Sequence, residues 1–311
     1  MSEMMYGQIM VHSNKTSDIG KTVTFTDETS ATLTGTIGSD GYCRKKLAAF
    51  KNYFVTFGTF ITDSIALGCG ENHFIEVGPI KQSLTIYSAK ADTLSYTDVY
   101  GNTQTIVFPS DSGSKSVEIE IDPEGSSITF TSSIAKDIVG LTDYYSKTVS
   151  ITTETTDVYV MPDKVIYWYG FNFENNLTDY AAAGYTYSGM DFSTLPSYNT
   201  NSIYIPAPAS KGCGVGIMNP ISNVSKIHFI GSGISNGSYI PLIECFRNTK
   251  DRDMTKRLGY IIMSDHSTSY HAQQILNENL EQGEPPVANN VYLHAISYYS
   301  SSATIEAIWY E

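Results

Sequence analysis

From Lys21 to Tyr159 the chain keeps returning to one pattern. Segments such as KTVTFTD, SLTIYSA, QTIVF and KSVEIEI alternate apolar and polar side chains, and turns rich in Gly, Asp, Ser or Asn separate them. A period of two puts Val23 and Phe25 on one face, with Leu33 and Ile37 in the next strand, and gathers Val117, Ile119 and Ile121 in the same way. That is the signature of a strand with one buried side. With turns at GSDG (38–41), YGNT (100–103) and SDSGS (110–114), the spacing of roughly eight to twelve residues commits the chain to short strands stacked as β-sandwiches.

A chain of 311 residues is long enough for more than one core. The reading divides it into a first β-sandwich module over 1–79, a second, immunoglobulin-like module over 80–162, and a larger jelly-roll-like sandwich over 163–311. The first two share an order: a strand, a turn built on Ser, Asp and Gly, a strand, then an aromatic strand (Tyr53–Phe57 and Ile128–Phe130). This is a loose internal repeat. The third stretch has longer loops, at 175–202 and 277–290, between strands such as SIYIPA, KIHFIGS and RLGYIIMS. One helix is predicted, at 269–283. Ile275, Leu276 and Leu280 would share a side, Gly283 would end it, and Pro285 and Pro286 forbid continuation. The expected class is therefore all-β: two small immunoglobulin-like or prealbumin-like sandwiches, then a larger sandwich with one short helix.

Charged residues are 16% of the chain, and Ser, Thr, Asn, Gly and 23 tyrosines take their place. The net charge of −13 and the lack of a dense Lys/Arg cluster argue against a nucleic-acid partner and against docking on an anionic membrane. No apolar run is long enough to span a bilayer. MSEMMYGQIMV lacks the basic and apolar regions of a signal peptide, so cytosolic synthesis is expected. Met1 is expected to be held by packing or by a partner. The four cysteines, Cys43, Cys69, Cys213 and Cys245, form no CxxC pair and are expected to be free and mostly buried.

Residues 158–171, VYVMPDKVIYWYGF, carry Trp168, one of two tryptophans; the other, Trp309, is third from the C-terminal end. Pro162-Asp163 reads as a hinge and Val165–Phe171 as the opening strand of the third domain. Strict alternation would point Ile166 and Trp168 into its core and Tyr167 and Tyr169 away. The closing strand, Ile305–Tyr310, is expected to pair with this one and bring both tryptophans together.

Chemistry-bearing patterns are few. GISNG (233–237) matches G-x-S-x-G, but a strand rather than a helix follows it, so a turn is expected. GCGVG (212–216) is not followed by a helix, which excludes a dinucleotide fingerprint. Asp265, His266 and His271 in SDHSTSYH are the weak candidates for a metal site; solvated histidines are the better reading, and neither a metal nor another cofactor is expected. Paired carboxylates for glycoside cleavage have candidates in Glu174, Asp179, Asp191, Glu244 and Glu306, with no spacing that singles out two. Glu244, between Ile243 and Cys245, reads as the wet face of a strand. The loop TDYAAAGYTYSGMDF (178–192) sets Tyr180, Tyr185, Tyr187 and Phe192 among small residues. Tyrosines among Ser, Gly and Asn suit recognition surfaces, and these four are the candidate glycan-binding residues.

The succession of strand, SDGYC turn, strand and YFVTF resembles small immunoglobulin-like modules in proteins of phages and prophages of gut bacteria. The residues Tyr145–Val149, Val160-Met161-Pro162 and Trp168-Tyr169-Gly170 resemble the boundary between such a module and a C-terminal sandwich, which Trp309-Tyr310-Glu311 would close. The resemblance implies a non-enzymatic virion structural protein of the tail or baseplate, or, as the alternative, a head fibre or capsid decoration. It carries no catalytic residue across. Its partners would be other virion proteins through the N-terminal modules and a host cell-surface glycan through the third domain, in a homo-oligomer located on the virion. The rival of another class is a carbohydrate-active enzyme or carbohydrate-binding module.

Overall fold

The computed structural model describes residues 5–134, 138, 146–173, 176–187, 191–208, 212–235, 239–263, 266–276 and 287–311. Met1 lies outside them. The fold is all-β, with two short 3-10 turns among the described residues.

The first part holds β1 (Tyr6–His12), β2 (Thr22–Asp27), β3 (Thr32–Thr36), β4 (Tyr42–Ala48), β5 (Lys51–Phe57), β6 (Phe60–Ile61), β7 (Ile65–Leu67) and β8 (Asn72–Glu76). One sheet runs β4-β1-β8 and the other β3-β2-β5-β6, with β7 also on β5. Their inner faces close a core around Ile9, Val11, Val23, Phe25, Leu47 and Val55. The alternation read from the sequence is the alternation observed in β2, where Val23 and Phe25 are buried. Leu33 departs from it: it is half exposed, and Ile37 alone of that pair enters the core.

The second part holds β9 (Ile80–Tyr87), β10 (Thr93–Thr97), β11 (Thr103–Val107), β12 (Ser114–Ile121), β13 (Ser126–Ser132), β14 (Ser146–Ile151) and β15 (Asp157–Tyr159). Its sheets run β12-β9-β15 and β11-β10-β13-β14 around a separate core that includes Ile86, Leu94, Ile121, Phe130 and Ile151. The strand plan of the first part recurs here. In each, the first strand lies between the fourth, which is antiparallel to it, and the last, which is parallel. In each, the second strand lies between the third and the fifth.

The third part holds β16 (Val165–Trp168), β17 (Phe171–Asn172), β18 (Leu177–Asp179), β19 (Ser197–Tyr198), β20 (Ile203–Ile205), β21 (Gly212–Ile217), β22 (Lys226–Ile234), β23 (Leu242–Arg247), β24 (Arg257–Ile262), β25 (His266–Ile275), β26 (Val291–Tyr298) and β27 (Ser302–Tyr310). One sheet runs β18-β21-β26-β23-β24. In the other, β27 pairs with β22 along one edge and with β16 and β20 in succession along the other, and β25 extends β22. The two sheets enclose the largest core, with Val215, Phe229, Ile243, Leu293 and Ile305 at its centre.

The helix predicted at 269–283 is not formed over its described part. Ser269–Ile275 belong to β25, whose backbone pairs with β22 from Lys226↔Ile275 to Gly231↔Tyr270. Ladder pairing with a neighbour outweighs the helix propensity of Ala and Gln here. Ile275 and Leu276 consequently point opposite ways, one exposed and the other fully buried. Residues 277–283 of the predicted helix lie outside the described residues.

The first and last strands of the third part do pair, through Val165↔Trp309, Tyr167↔Ile308 and Trp168↔Ala307. The register shifts between Val165 and Tyr167, so two residues of β16 oppose one of β27, a β-bulge. The bulge corrects the expected facing. Ile166 and Tyr167 both enter the third core, while Trp168 and Tyr169 turn outward onto the second part. There they join Ala89, Met161, Ile230 and Trp309 in a buried cluster, with Tyr87, Ile134, Ile138 and Phe171 against it. The tryptophan rings meet edge to face, 5.7 Å apart. Lys90 N–H donates to Tyr169 C=O across this seam (3.0 Å). The aromatic run is thus the joint between two sandwiches. Gly170 completes it at φ +85°: a Cβ there would stand 2.0 Å from Thr200 O.

Cys43, Cys213 and Cys245 are buried thiols, and Cys69 is an exposed one.

Candidate functional site

The alternation of GCGVGI in β21 has a structural use. Cys213, Val215 and Ile217 enter the core, while Gly212, Gly214 and Gly216 present a bare backbone on the sheet's outer face. Aromatic rings lie on that bed. A Cβ on Gly216 would stand 2.5 Å from the Tyr185 ring, and one on Gly212 2.4 Å from the Phe192 ring. A tight turn, with Ala183 N–H donating to Asp179 C=O (2.8 Å) and Gly184 at φ +79°, turns the chain back. Tyr180 then stacks on Phe192 at 4.0 Å, and the Tyr185 hydroxyl donates to Leu293 C=O at 2.7 Å. Lys250 ties the turn down by donating to Ala183 C=O, with its ammonium over the Tyr185 and Tyr292 rings.

Of the four candidate glycan-binding residues, Tyr180 and Tyr185 are 2% and 4% exposed, so their rings form the roof of this face. Tyr187 and Phe192 keep part of their surface in solvent.

Beneath the roof lies an ion cluster that strand reading missed. Glu244 and His294 are register partners on β23 and β26, and both are fully buried. Arg252 grips the carboxylate with two donors, Nε to Oε2 at 2.6 Å and Nη2 to Oε1 at 3.1 Å. His294 Nε2 lies 3.2 Å from Oε2, and Arg257 Nη1 3.5 Å from Oε1. Burial alone would push the Glu244 pKa up, but the hydrogen bonds and charge of its partners outweigh it and hold the pKa at about 2. Burial pushes the His294 imidazole down against the pull of Glu244, so the ring is neutral and its Nε2–H donates to the carboxylate. The wet-face reading of Glu244 is therefore corrected. Apolar residues on both sides, in LIECFR, were the available signal of a strand buried on both faces.

Arg252 also donates from Nη1 to the Tyr187 hydroxyl at 2.8 Å. Tyr187, Arg252, Thr186 and Asp251 line a surface hollow of about 530 Å³. An ionised, doubly gripped Glu244 is no general acid, and the arrangement suits holding a ligand on Tyr187 and Arg252 rather than proton transfer.

The remaining candidates do not converge. His266 and His271 lie in one strand on either side of a register shift and have different neighbours. His266 stacks on Tyr270 at 3.7 Å, whereas His271 stacks on Trp309 and its Nε2 lies 3.1 Å from His228 Nδ1. Asp265 lies outside the described residues. No group of three or more His, Cys, Asp or Glu able to hold a metal occurs among the described residues. Glu244 and Glu306 stand in strands of different sheets, Asp179 accepts the Tyr198 hydroxyl at 2.8 Å, and Glu174 lies outside the described residues. Gly233 of GISNG is in β22; positions 236–237 lie outside the described residues.

Fold and face together define a β-sandwich protein with an aromatic-roofed, charge-stabilised outer sheet. No family model matches the sequence, and no characterised protein matches it. Among solved structures the chain is similar to the TIE protein of Bacillus anthracis, at 9% identity over 87% of this chain and 44% of that one, with a TM-score of 0.23. The chain thus spans 44% of the length of that protein. A CBM4 structure is similar at 9% identity over 48% of this chain and 96% of that one, TM-score 0.27. SGBP-B from a complex xyloglucan utilization locus in Bacteroides uniformis is similar at 7% identity over 97% and 99%, TM-score 0.25. At such scores none of them assigns a residue or a ligand to this chain. No helix among the described residues is long and apolar enough to cross a membrane.

Proposed function

We propose that this chain is a non-enzymatic structural protein of a virion appendage, in which two small sandwiches carry a larger one that attaches to a host surface. The observation that carries this reading is the succession of three separate cores, the first two with one strand plan and the third joined on by an apolar seam. A stalk-like repeat ending in a larger, differently built head is the layout expected of an attachment protein. The virion assignment rests on the module resemblance. In this reading the N-terminal part docks on other virion proteins, and several copies present their heads together, which raises avidity without new contacts. Tyr187, Phe192 and Arg252 are the head's outward contact residues.

Immunogold labelling of particles released from the source organism, with antibody raised against the whole chain, tests the reading. Label confined to tails, baseplates or head fibres is expected. Label on cell envelopes with bare particles would overturn it. The contact face is tested apart, by whole-cell binding of the full chain beside a Tyr187→Ala, Phe192→Ala double variant. Loss of binding is expected.

A further inference from the structure

A broad concave feature lies at the joint between the second sandwich and the head. Two hollows, of about 700 Å³ and 470 Å³, share Lys147, the chain from Met161 to Lys164, and Tyr310. Each falls within the range of small-molecule sites, and domain joints are where such sites gather. One wall comes from β14 and β15 of the second sandwich, and the other from the head. The Trp168–Trp309 cluster holds the two walls together.

The lining has a definite chemistry. Tyr159, Phe173 and Tyr310 contribute aromatic rings, the first two 42% and 38% exposed. The rings are held in place. Tyr159 stacks on Tyr87 at 4.5 Å and 8°, Phe173 lies 6.0 Å from Phe171, and the Lys164 ammonium sits over Tyr310 at 5.5 Å. Amides stand beside the rings. Asn176 Oδ1 accepts the Asn219 N–H at 3.0 Å, which fixes that amide with its NH2 as the group it offers. The charges of the groove are engaged within the protein: Lys147 donates to Asp163 Oδ1 (2.7 Å) and Met161 C=O (3.0 Å), and Lys164 donates to Asn223 C=O (3.1 Å).

Fixed aromatic faces interleaved with amides and internally paired charges match one ligand chemistry: a flat, uncharged body with an apolar face and a rim of hydroxyls. We infer that the groove across the joint binds a neutral oligosaccharide, with pyranose rings on Tyr159, Phe173 and Tyr310 and hydroxyls on Asn176 and Asn219. An anionic sugar would face lysines already committed and the carboxylates of Asp157, Asp163 and Glu311 in the same lining. Walls fixed before binding lower the ordering cost of association. The site is separate from the Tyr187 face, and it exists only while the second sandwich and the head are joined.

The test uses the full chain. Cellohexaose, xylohexaose, mannohexaose, maltohexaose and chitohexaose are titrated as neutral probes and hexagalacturonate as the acidic one, by calorimetry and by tryptophan emission, since Trp309 lines the smaller hollow and Trp168 lies against it. At least one neutral probe is expected to bind, and Tyr159→Ala and Phe173→Ala each to weaken it about tenfold. Phe173→Tyr should retain binding, and Lys15→Ala, at a residue outside both linings, should leave it unchanged. Both alanine variants alter exposed rings, and unchanged thermal unfolding confirms their fold. The inference is overturned if no neutral probe binds, if hexagalacturonate alone binds, or if both folded alanine variants bind as the parent does. None of these results touches the virion assignment, which the labelling of particles decides by itself.

Discussion

The chain has two joints between sandwiches, and they are built on opposite principles. Between the first and second parts, polar contacts among the described residues include Lys15 Nζ to Asp122 Oδ1 at 2.6 Å, the Thr59 hydroxyl to Glu124, and the Asn14 side chain to Tyr100. No cluster of buried apolar side chains joins the two cores among the described residues. Between the second part and the head, Trp168, Trp309, Tyr169 and a ring of aliphatic residues are packed out of water, with Tyr87 and Phe171 partly buried against them. Partly exposed ion pairs contribute about 0–1 kcal/mol and weaken with salt. Buried aromatic contacts contribute several times that and are not screened by salt. The difference teaches where the molecule can bend. The first joint is expected to reorient more readily than the second, whose buried cluster ties its two sandwiches together beside the groove.

The largest expected effect breaks the second joint. Trp168→Ala leaves a cavity at a ring 1% exposed and should cost about 3–5 kcal/mol in denaturant unfolding of the full chain. A loss below about 1 kcal/mol would mean that the ring is not packed as described. Next is Arg252→Ala, which removes the two-donor grip on the buried Glu244 carboxylate and leaves it His294 and Arg257; it should cost about 3 kcal/mol in the head without separating the sandwiches. With the parent chain, acid gives the same message. The Glu244 pKa falls from 4.5 to about 2 on folding, so its stabilisation is complete above pH 4.5 and is lost as pH falls towards 2.

His228 sharpens the comparison at milder pH. It is 1% exposed, stacks on Trp309 at 4.7 Å, and burial lowers its pKa from 6.5 to about 4. Between these values the unfolded chain binds the proton and the folded one does not. Stability should therefore fall by about 1 kcal/mol per pH unit from pH 6.5 down to 4, and His228→Phe should flatten that slope. The smallest effect is at the first joint. Lys15→Ala should change stability by less than about 1 kcal/mol, and by nothing measurable at high salt.

Much of the fold was legible because alternation is a local property. Val23, Phe25, Ile119 and Phe130 face inward as their spacing dictates. The failures have particular causes. One extra residue at Ile166 reversed the faces of Tyr167 and Trp168, and a bulge leaves no mark in a hydrophobic pattern. Ser269–Ile275 carried helix-forming residues, but β22 offered an edge to pair with. Of the site, the tyrosine loop was legible as a feature and not as a roof, because the glycines under Tyr185 and Phe192 lie on β21, 31 and 20 residues further along the sequence. Glu244 was misread because its partners Arg252 and His294 reach it from a loop and from another strand.

The central claim is that the second sandwich and the head form one cooperative unit while the first sandwich is separate. Scanning calorimetry of the full chain beside Trp168→Ala tests it most directly. The account predicts two transitions in the parent, one for the first sandwich and one shared by the other two, and a third transition once Trp168 is removed. Independent melting of the second sandwich and the head in the parent chain would contradict it.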